Sequence, residues 1–235
     1  LPRADADWLQ AFAQGLFALA DAHGCELVGG DTTQGPLNIG ITVIGDVPTG
    51  QALLRSGAHV GDDIYVSGQL GDARLALEAF RGQMSLPEAV LNTCRMRMEQ
   101  PTPRVALGLA LRGVASAAAD ISDGLLGDLG HILRQSAVGA RLQLPACEAL
   151  LGCRAQVSLE AHWVRTAVLS GGDDYELVFT APPAQRMAVA QAAQASQTPV
   201  YCIGQIEAEP GTRLLDAQGQ LVDLSLASFD HFAAN

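Results

Sequence analysis

Ala115 to Ser136 reads Ala-Ser-Ala-Ala-Ala-Asp120-Ile121-Ser122-Asp123-Gly124-Leu125-Leu126-Gly127-Asp128-Leu129-Gly130-His131-Ile132-Leu133-Arg134-Gln135-Ser136. Its first seven residues form an apolar run of strand length. From Leu125 onward the apolar positions Leu125, Leu126, Leu129, Ile132 and Leu133 recur at helical spacing. The stretch therefore reads as a buried strand over 115–121, a turn at Ser122-Asp123-Gly124 and a helix over 125–136. Asp120 closes the strand and Asp123 opens the helix. Two aspartates three residues apart at a helix N-terminus can share a Mg²⁺ that carries polyphosphate, with Ser122 as a further oxygen. A plain turn is the other reading: Ser122 caps the helix and Asp123 complements its dipole. That second reading leaves Asp120 unexplained.

Two more acidic phrases follow glycines. Gly29-Gly30-Asp31-Thr32-Thr33 comes after a short apolar run, Cys25–Val28. Its backbone N–H groups can face a phosphate while Asp31 takes a metal, or Asp31 can simply cap a turn. Ser170-Gly171-Gly172-Asp173-Asp174-Tyr175-Glu176 precedes the apolar strand pattern 176–180 and reads either as a site loop or as a polar turn. Clustered carboxylates need a counter-ion, and hard oxygen donors suit Mg²⁺. Other acids take plainer roles. Asp62-Asp63 reads as a turn entering a strand, Asp128 as a solvated helix position, and Glu78 and Glu88 as surface helix residues.

Around these phrases strands and helices interleave, which predicts an α/β or α+β fold. Helical spacing covers Asp5–His23, Asp72–Arg81, Leu86–Met98, Pro103–Gly113 and Pro183–Ser196, with two short helices in Pro145–Val168. Strand patterns cover Cys25–Val28, Leu37–Val47, Ile64–Ser67, Arg141–Leu144, Glu176–Thr180, Val200–Ile206 and Thr212–Leu215. Pro48–Gly61 reads as a connector. The tail Ser228–Phe232 is aromatic and reads as ordered.

Composition removes several function classes. A net charge of -11 with only 14 Lys and Arg leaves no basic stripe for nucleic acid. No apolar run approaches the roughly 18–20 residues of a membrane span. The start, Leu1-Pro2-Arg3-Ala4-Asp5, lacks the order of a signal peptide. Cys25, Cys94, Cys147, Cys153 and Cys202 form no Cys-x-x-Cys and read as reduced core thiols of a cytoplasmic protein. No P-loop, protein-kinase motif set or Gly-x-Ser-x-Gly elbow is present.

The order of the phrases carries a resemblance. Gly29-Gly30-Asp31-Thr32-Thr33, Leu53-Leu54-Arg55-Ser56-Gly57-Ala58, the stretch from Asp120 to Ile132, the stretch from Ser170 to Leu177 and Phe229-Asp230-His231-Phe232 together resemble the bacterial thiamine-monophosphate kinase family. That family belongs to a superfamily with aminoimidazole ribonucleotide synthetase and selenophosphate synthetase. The resemblance implies a two-domain fold of that superfamily: residues 1–50 as the C-terminal part of a barrel-like N-terminal ATP/Mg-binding and dimerisation domain, and residues 51–235 as a C-terminal α/β domain that layers helices on a mixed sheet. It implies a cytoplasmic homodimer that transfers the γ-phosphoryl group of ATP to thiamine monophosphate. It also implies that a leading stretch with further metal ligands is lacking, so the chain by itself is expected to show little activity. Carried over by position, Asp31, Asp120 and Asp123 are metal ligands, and Gly30, Asp31, Arg55 and Ser122 are nucleotide contacts. Asp173 and Phe229 face the acceptor substrate; Asp173 stands where the family often has glutamate. No residue is expected as a general base, because a phosphate acceptor is already ionised near neutral pH; transfer is expected in line, without a phosphoenzyme. The rival expectations are another ATP-dependent enzyme of the superfamily, of selenophosphate synthetase or hydrogenase-maturation type, and a non-catalytic nucleotide-binding or dimerisation fragment.

Overall fold

The computed structural model describes residues 1–223. The chain divides into two compact units, Leu1–Pro48 and Thr49–Asn235.

The first unit holds one helix, α1 (Ala6–Ala22), capped by Asp5, whose carboxylate accepts the Trp8 N–H. Trp8 and Phe12, one turn apart, stack with centroids 5.4 Å apart. The rest of the unit has no regular secondary structure. The strands expected over Cys25–Val28 and Leu37–Val47 are not formed: no ladder pairs them with any described segment. Alternating β-branched residues favour extended backbone, but a strand exists only through a partner's hydrogen bonds. Val28, Val43 and Ile44 are each more than 80% exposed, so the apolar side of this segment is uncovered.

The second unit is a six-stranded sheet with helices on both faces. Its strands are β1 (Asp63–Ser67), β2 (Ala117–Ile121), β3 (Gly139–Gln143), β4 (Glu176–Ala181), β5 (Val200–Glu207) and β6 (Gly211–Leu215). They lie in the order β2-β4-β1-β5-β3-β6, antiparallel throughout except for the parallel pair β3–β6. Successive side chains of a strand point to opposite faces, and the two cores follow that rule. Ile64, Val66, Ala117, Ala119, Ile121 and Val178 face the larger core. Tyr65, Ala118, Phe179 and Ala181 face the smaller one. Tyr65 and Phe179 are register partners and stack at 5.2 Å.

The larger core is completed by α2 (Asp72–Phe80), α3 (Glu88–Glu99), α5 (Leu125–Ser136), α6 (Leu144–Glu148) and α7 (Ala161–Ser170). α5 shows why the helical spacing worked. Leu125, Leu129 and Ile132 share one stripe and are fully buried, each stabilising by about 1.5–3 kcal/mol. The smaller core rests on α4 (Val105–Ala110) and α8 (Arg186–Ala195), through Leu107, Leu111, Val189 and Ala192.

Several acids given plain roles are interior, and for Glu78 this corrects the reading as a surface helix residue. Asp62 accepts from the His59 N–H and the Ser116 hydroxyl, and Asp63 takes a two-pronged contact from Arg186 at 2.6 and 2.9 Å. The Arg186 guanidinium holds the Asp63 carboxyl below the usual carboxylate range. Glu78 is buried between Arg74 and Arg81. In each case a short-range donor replaces water, which is the condition for burying a carboxylate. Glu88 is exposed as expected. Of the five cysteines, Cys94, Cys147 and Cys153 are buried, while Cys25 and Cys202 are exposed and so are not core thiols. Among the described residues no helix is long and apolar enough to cross a membrane.

Candidate active site

β2 and β4 are antiparallel neighbours with Ile121 opposite Glu176. The end of β2 and the start of β4 therefore meet at one edge of the sheet. Two loops leave there: Ser122–Gly124 into α5, and Gly171–Tyr175 out of α7. They are tied by backbone bonds, Asp173 N–H to the Ser122 carbonyl and Tyr175 N–H to the Ile121 carbonyl, both 3.0 Å. Two glycines permit the approach. Gly124 has φ +120°, and a Cβ there would stand 2.9 Å from the Ser170 backbone. A Cβ on Gly172 would run into the Ser122 carbonyl. Asp173 and Tyr175 themselves hold positive φ, 68° and 52°. Backbone so rarely adopted by side-chain-bearing residues marks a loop shaped by its surroundings.

Asp128 organises the first loop. It is buried, and one of its oxygens accepts the N–H groups of Ser122, Asp123 and Gly124 at 3.0, 3.0 and 3.2 Å. The reading of Asp128 as a solvated position is thus corrected: it is the acceptor that satisfies the first free N–H groups of the turn into α5. Burial pushes its carboxyl up, against the pull of those N–H donors and with the help of Asp123 and Asp120. Its spacing from Gly124, one helical turn, is the signal in the sequence.

Ser122, Asp123 and Asp173 come together. With Arg74, Arg81 and Tyr175 they line a cleft of about 270 Å³. Arg74 and Arg81 come from α2 and share the buried carboxylate of Glu78. The Tyr175 hydroxyl is pushed up by burial first and then by Asp173, Asp123 and Asp120, so three carboxylates crowd this corner. Asp120 is exposed, and its nearest cation is Arg55, 3.8 Å away. Arg55 is held beside β2 because the Leu54 carbonyl accepts the Ala118 N–H and its own carbonyl accepts the Ser136 hydroxyl. Both members of that ion pair are about half exposed, which makes it weak and exchangeable. Beneath the cleft Glu176, fully buried, accepts from Ser67, Arg97 and Arg104 and so locks β1, β4, α3 and the start of α4. Asp174, Glu176, Arg74, Arg81 and Tyr175 were not among the expected site residues; only Asp174, Tyr175 and Glu176 fall within a quoted phrase.

Gly30 and Asp31 belong to the first unit. There they line a cavity of about 370 Å³ with Trp8, Phe12 and Thr32 of the same unit. Both are exposed. Phe229 lies outside the described residues.

The donor chemistry around Asp120 and Asp123 suits a hard cation in its carboxylate oxygens and water access, with Arg55 as a loosely held competitor. Among the described residues the only trio of Asp, Glu, His or Cys groups whose ligand atoms lie within 4.8 Å of one another is Asp72, Cys94 and Cys153, all buried in the core.

Comparison with known proteins agrees with this layout. Residues 59–217 match the AIR synthase related protein family, C-terminal domain, and residues 1–47 match its N-terminal domain. A thiamine-monophosphate kinase of Salmonella typhimurium is 40% identical over 237 residues, covering 99% of this chain and 71% of the relative. The crystal structure of thiamine-monophosphate kinase from Stenotrophomonas maltophilia superposes with a TM-score of 0.80 at 41% identity, over 94% of this chain and 70% of that one. A structure described as AaThiL complexed with AMPPCP and TMP shares the fold, with a TM-score of 0.72 at 23% identity over 99% of this chain and 71% of that one. This chain belongs to the thiamine-monophosphate kinase family of AIR synthase related proteins.

Proposed function

We propose that the protein phosphorylates thiamine monophosphate to thiamine diphosphate with ATP, as its 40%-identical relatives are named for doing. The observation that carries the reading is the joined pair of loops. It puts Ser122 and Asp123 in one cleft with Asp173 and Tyr175, which supports a reading in which nucleotide and acceptor meet at a single opening. In the second unit Asp120 and Asp123 are the residues that would hold Mg²⁺; in the first unit Asp31 is proposed as a metal ligand. Bound there, Mg²⁺ would neutralise and align the phosphates, the main difficulty when two polyanions react.

The chain's own groups supply the rest. Arg55 is assigned to ATP, whose phosphates outcompete an exposed carboxylate for a guanidinium fork. Ser122 offers a hydroxyl, and in the first unit the exposed Gly30 is proposed as a nucleotide contact. Asp173 faces the acceptor, and no proton need be removed from it. A cytoplasmic homodimer completes the proposal, supported by the uncovered apolar residues Val28, Ile41, Val43 and Ile44 of the first unit. A hydrogenase-maturation activity is the weaker reading, because the relatives at 40% identity are thiamine-monophosphate kinases.

The test is thiamine diphosphate formation from ATP and thiamine monophosphate by the intact protein. Asp120→Asn and Asp123→Asn should each lower turnover at least ~100-fold at limiting Mg²⁺, with an unchanged melting temperature. Near-normal turnover of both variants would remove the metal assignment. Turnover of another phosphate acceptor in place of thiamine monophosphate would remove the substrate.

A further inference from the structure

Asp174 sits in the middle of the acceptor-side loop, yet it does not face the cleft. Its side chain turns inward and is buried, with one carboxylate oxygen accepting the Gly71 N–H at 2.8 Å. Gly71 is the residue that starts α2, so this bond fastens the loop to another element. The other oxygen, Oδ1, is buried without a hydrogen-bond partner among the described residues. A buried carboxylate oxygen that receives no donor is costly if charged.

The charge count around it gives the same answer. Asp72 on α2 and Glu176 on β4 both raise the Asp174 carboxyl, and Arg97 on α3 lowers it. Arg97 and Arg104 are both committed to Glu176. Asp72 accepts the Cys153 backbone N–H, and among the described residues no guanidinium pairs with it. Three buried carboxylates thus face two guanidinium groups. One proton balances this cluster, and Asp174, whose Oδ1 lacks a donor, is where it belongs. Burial in fact pushes the Asp174 carboxyl up to about 8.

We propose that Asp174 is a positioning residue, which carries a proton and by its bond to Gly71 sets the Gly171–Tyr175 loop, and through it Asp173, for the acceptor. The proposal rests on the reading of Asp173 as an acceptor-side residue. Both neighbours of Asp174 hold positive φ, so the loop stays in this shape only while its centre is anchored. Ionisation leaves one unbalanced negative charge in a buried site and favours a form in which the side chain reaches water. The sign follows from the direction of the shift. The value in the fold lies above the ordinary aspartate value near 3.9, so the unfolded chain loses this proton first. Asp174 contributes fully to the closed loop below about pH 4, and that contribution is lost as pH rises towards 8. If the acceptor needs the protonated form, its affinity then falls as pH rises through 8.

The Gly71 amide reports the proton directly. In wild-type protein its NMR shift should titrate with a midpoint near 8; in Asp174→Asn, where an amide mimics the protonated acid, that step should vanish. Thiamine monophosphate affinity of the wild type should fall about tenfold from pH 7 to pH 9, as one proton with this midpoint requires. ATP affinity should hold across that range, and the Asn variant should show no such fall. A Gly71 amide without a step near 8, or the same affinity profile in both proteins, would overturn the proposal. If wild-type protein binds no thiamine monophosphate at pH 7, the functional reading fails, and the Gly71 titration alone decides whether Asp174 holds the proton.

Discussion

A single oxygen of Asp128 accepts three successive backbone N–H groups, and those groups carry Ser122 and Asp123. Without it the turn into α5 loses the acceptor shared by three part-buried or buried N–H groups. Asp128→Ala should therefore cost about 1–3 kcal/mol of stability, the usual penalty for donors left unsatisfied. It should also slow turnover, because the residues displaced are those assigned to the nucleotide and metal. Asp128→Asn keeps an acceptor oxygen and should recover most of both losses. Thermal melts alongside steady-state rates for the two variants check this; an Ala variant with wild-type stability and rate would show that the turn holds itself. Asp128 also shows what composition cannot tell about a carboxylate. Its helical position is evident from the sequence, but whether it points to water or back over the turn depends on how α5 leaves β2.

At the level of elements, the helix spacing of α5 is legible to the residue, and β4, β5 and β6 fall within a residue or so of their sequence patterns. These segments carry their own period and their own breakers, so local reading suffices. Leu37–Val47 has an equally good strand pattern and forms no strand, since pairing is a property of two segments. Two of the acidic phrases fall on the two loops that backbone bonds join. What they omit is α2, whose Arg74 and Arg81 reach the cleft only because β1 lies beside β4. Glu176 was likewise hidden inside a turn phrase, although it joins four elements. Glu176→Gln removes the carboxylate that Arg97 and Arg104 share while leaving both arginines mostly buried. Breaking such a pair costs about 3–5 kcal/mol. Chemical denaturation should register that loss as a shifted midpoint with an unchanged slope, and a shift below about 1 kcal/mol would mean that water already reaches the cluster.

For the molecule as a whole, the sheet is covered on both faces, and the cleft lies at the edge formed by β2 and β4. Side chains at a covered sheet's rim can be exchanged without disturbing either core, which is why the rim tolerates strained backbone at Asp173 and Tyr175. The cysteines divide along the same line. Cys94 and Cys153 are wholly inaccessible, as is Cys147, whose thiol burial pushes up to about 12. Cys25 and Cys202 are exposed. The protein therefore contains its own stopwatch for opening. A thiol-reactive dye should modify two sites promptly and the other three only when the larger core comes apart, so the slow phase times that event without any engineered label. Prompt reaction of all five would mean that the larger core breathes faster than the dye can react. With the dye kept in excess, each variant's slow phase would separate a damaged cleft from a loosened scaffold before any substrate is added.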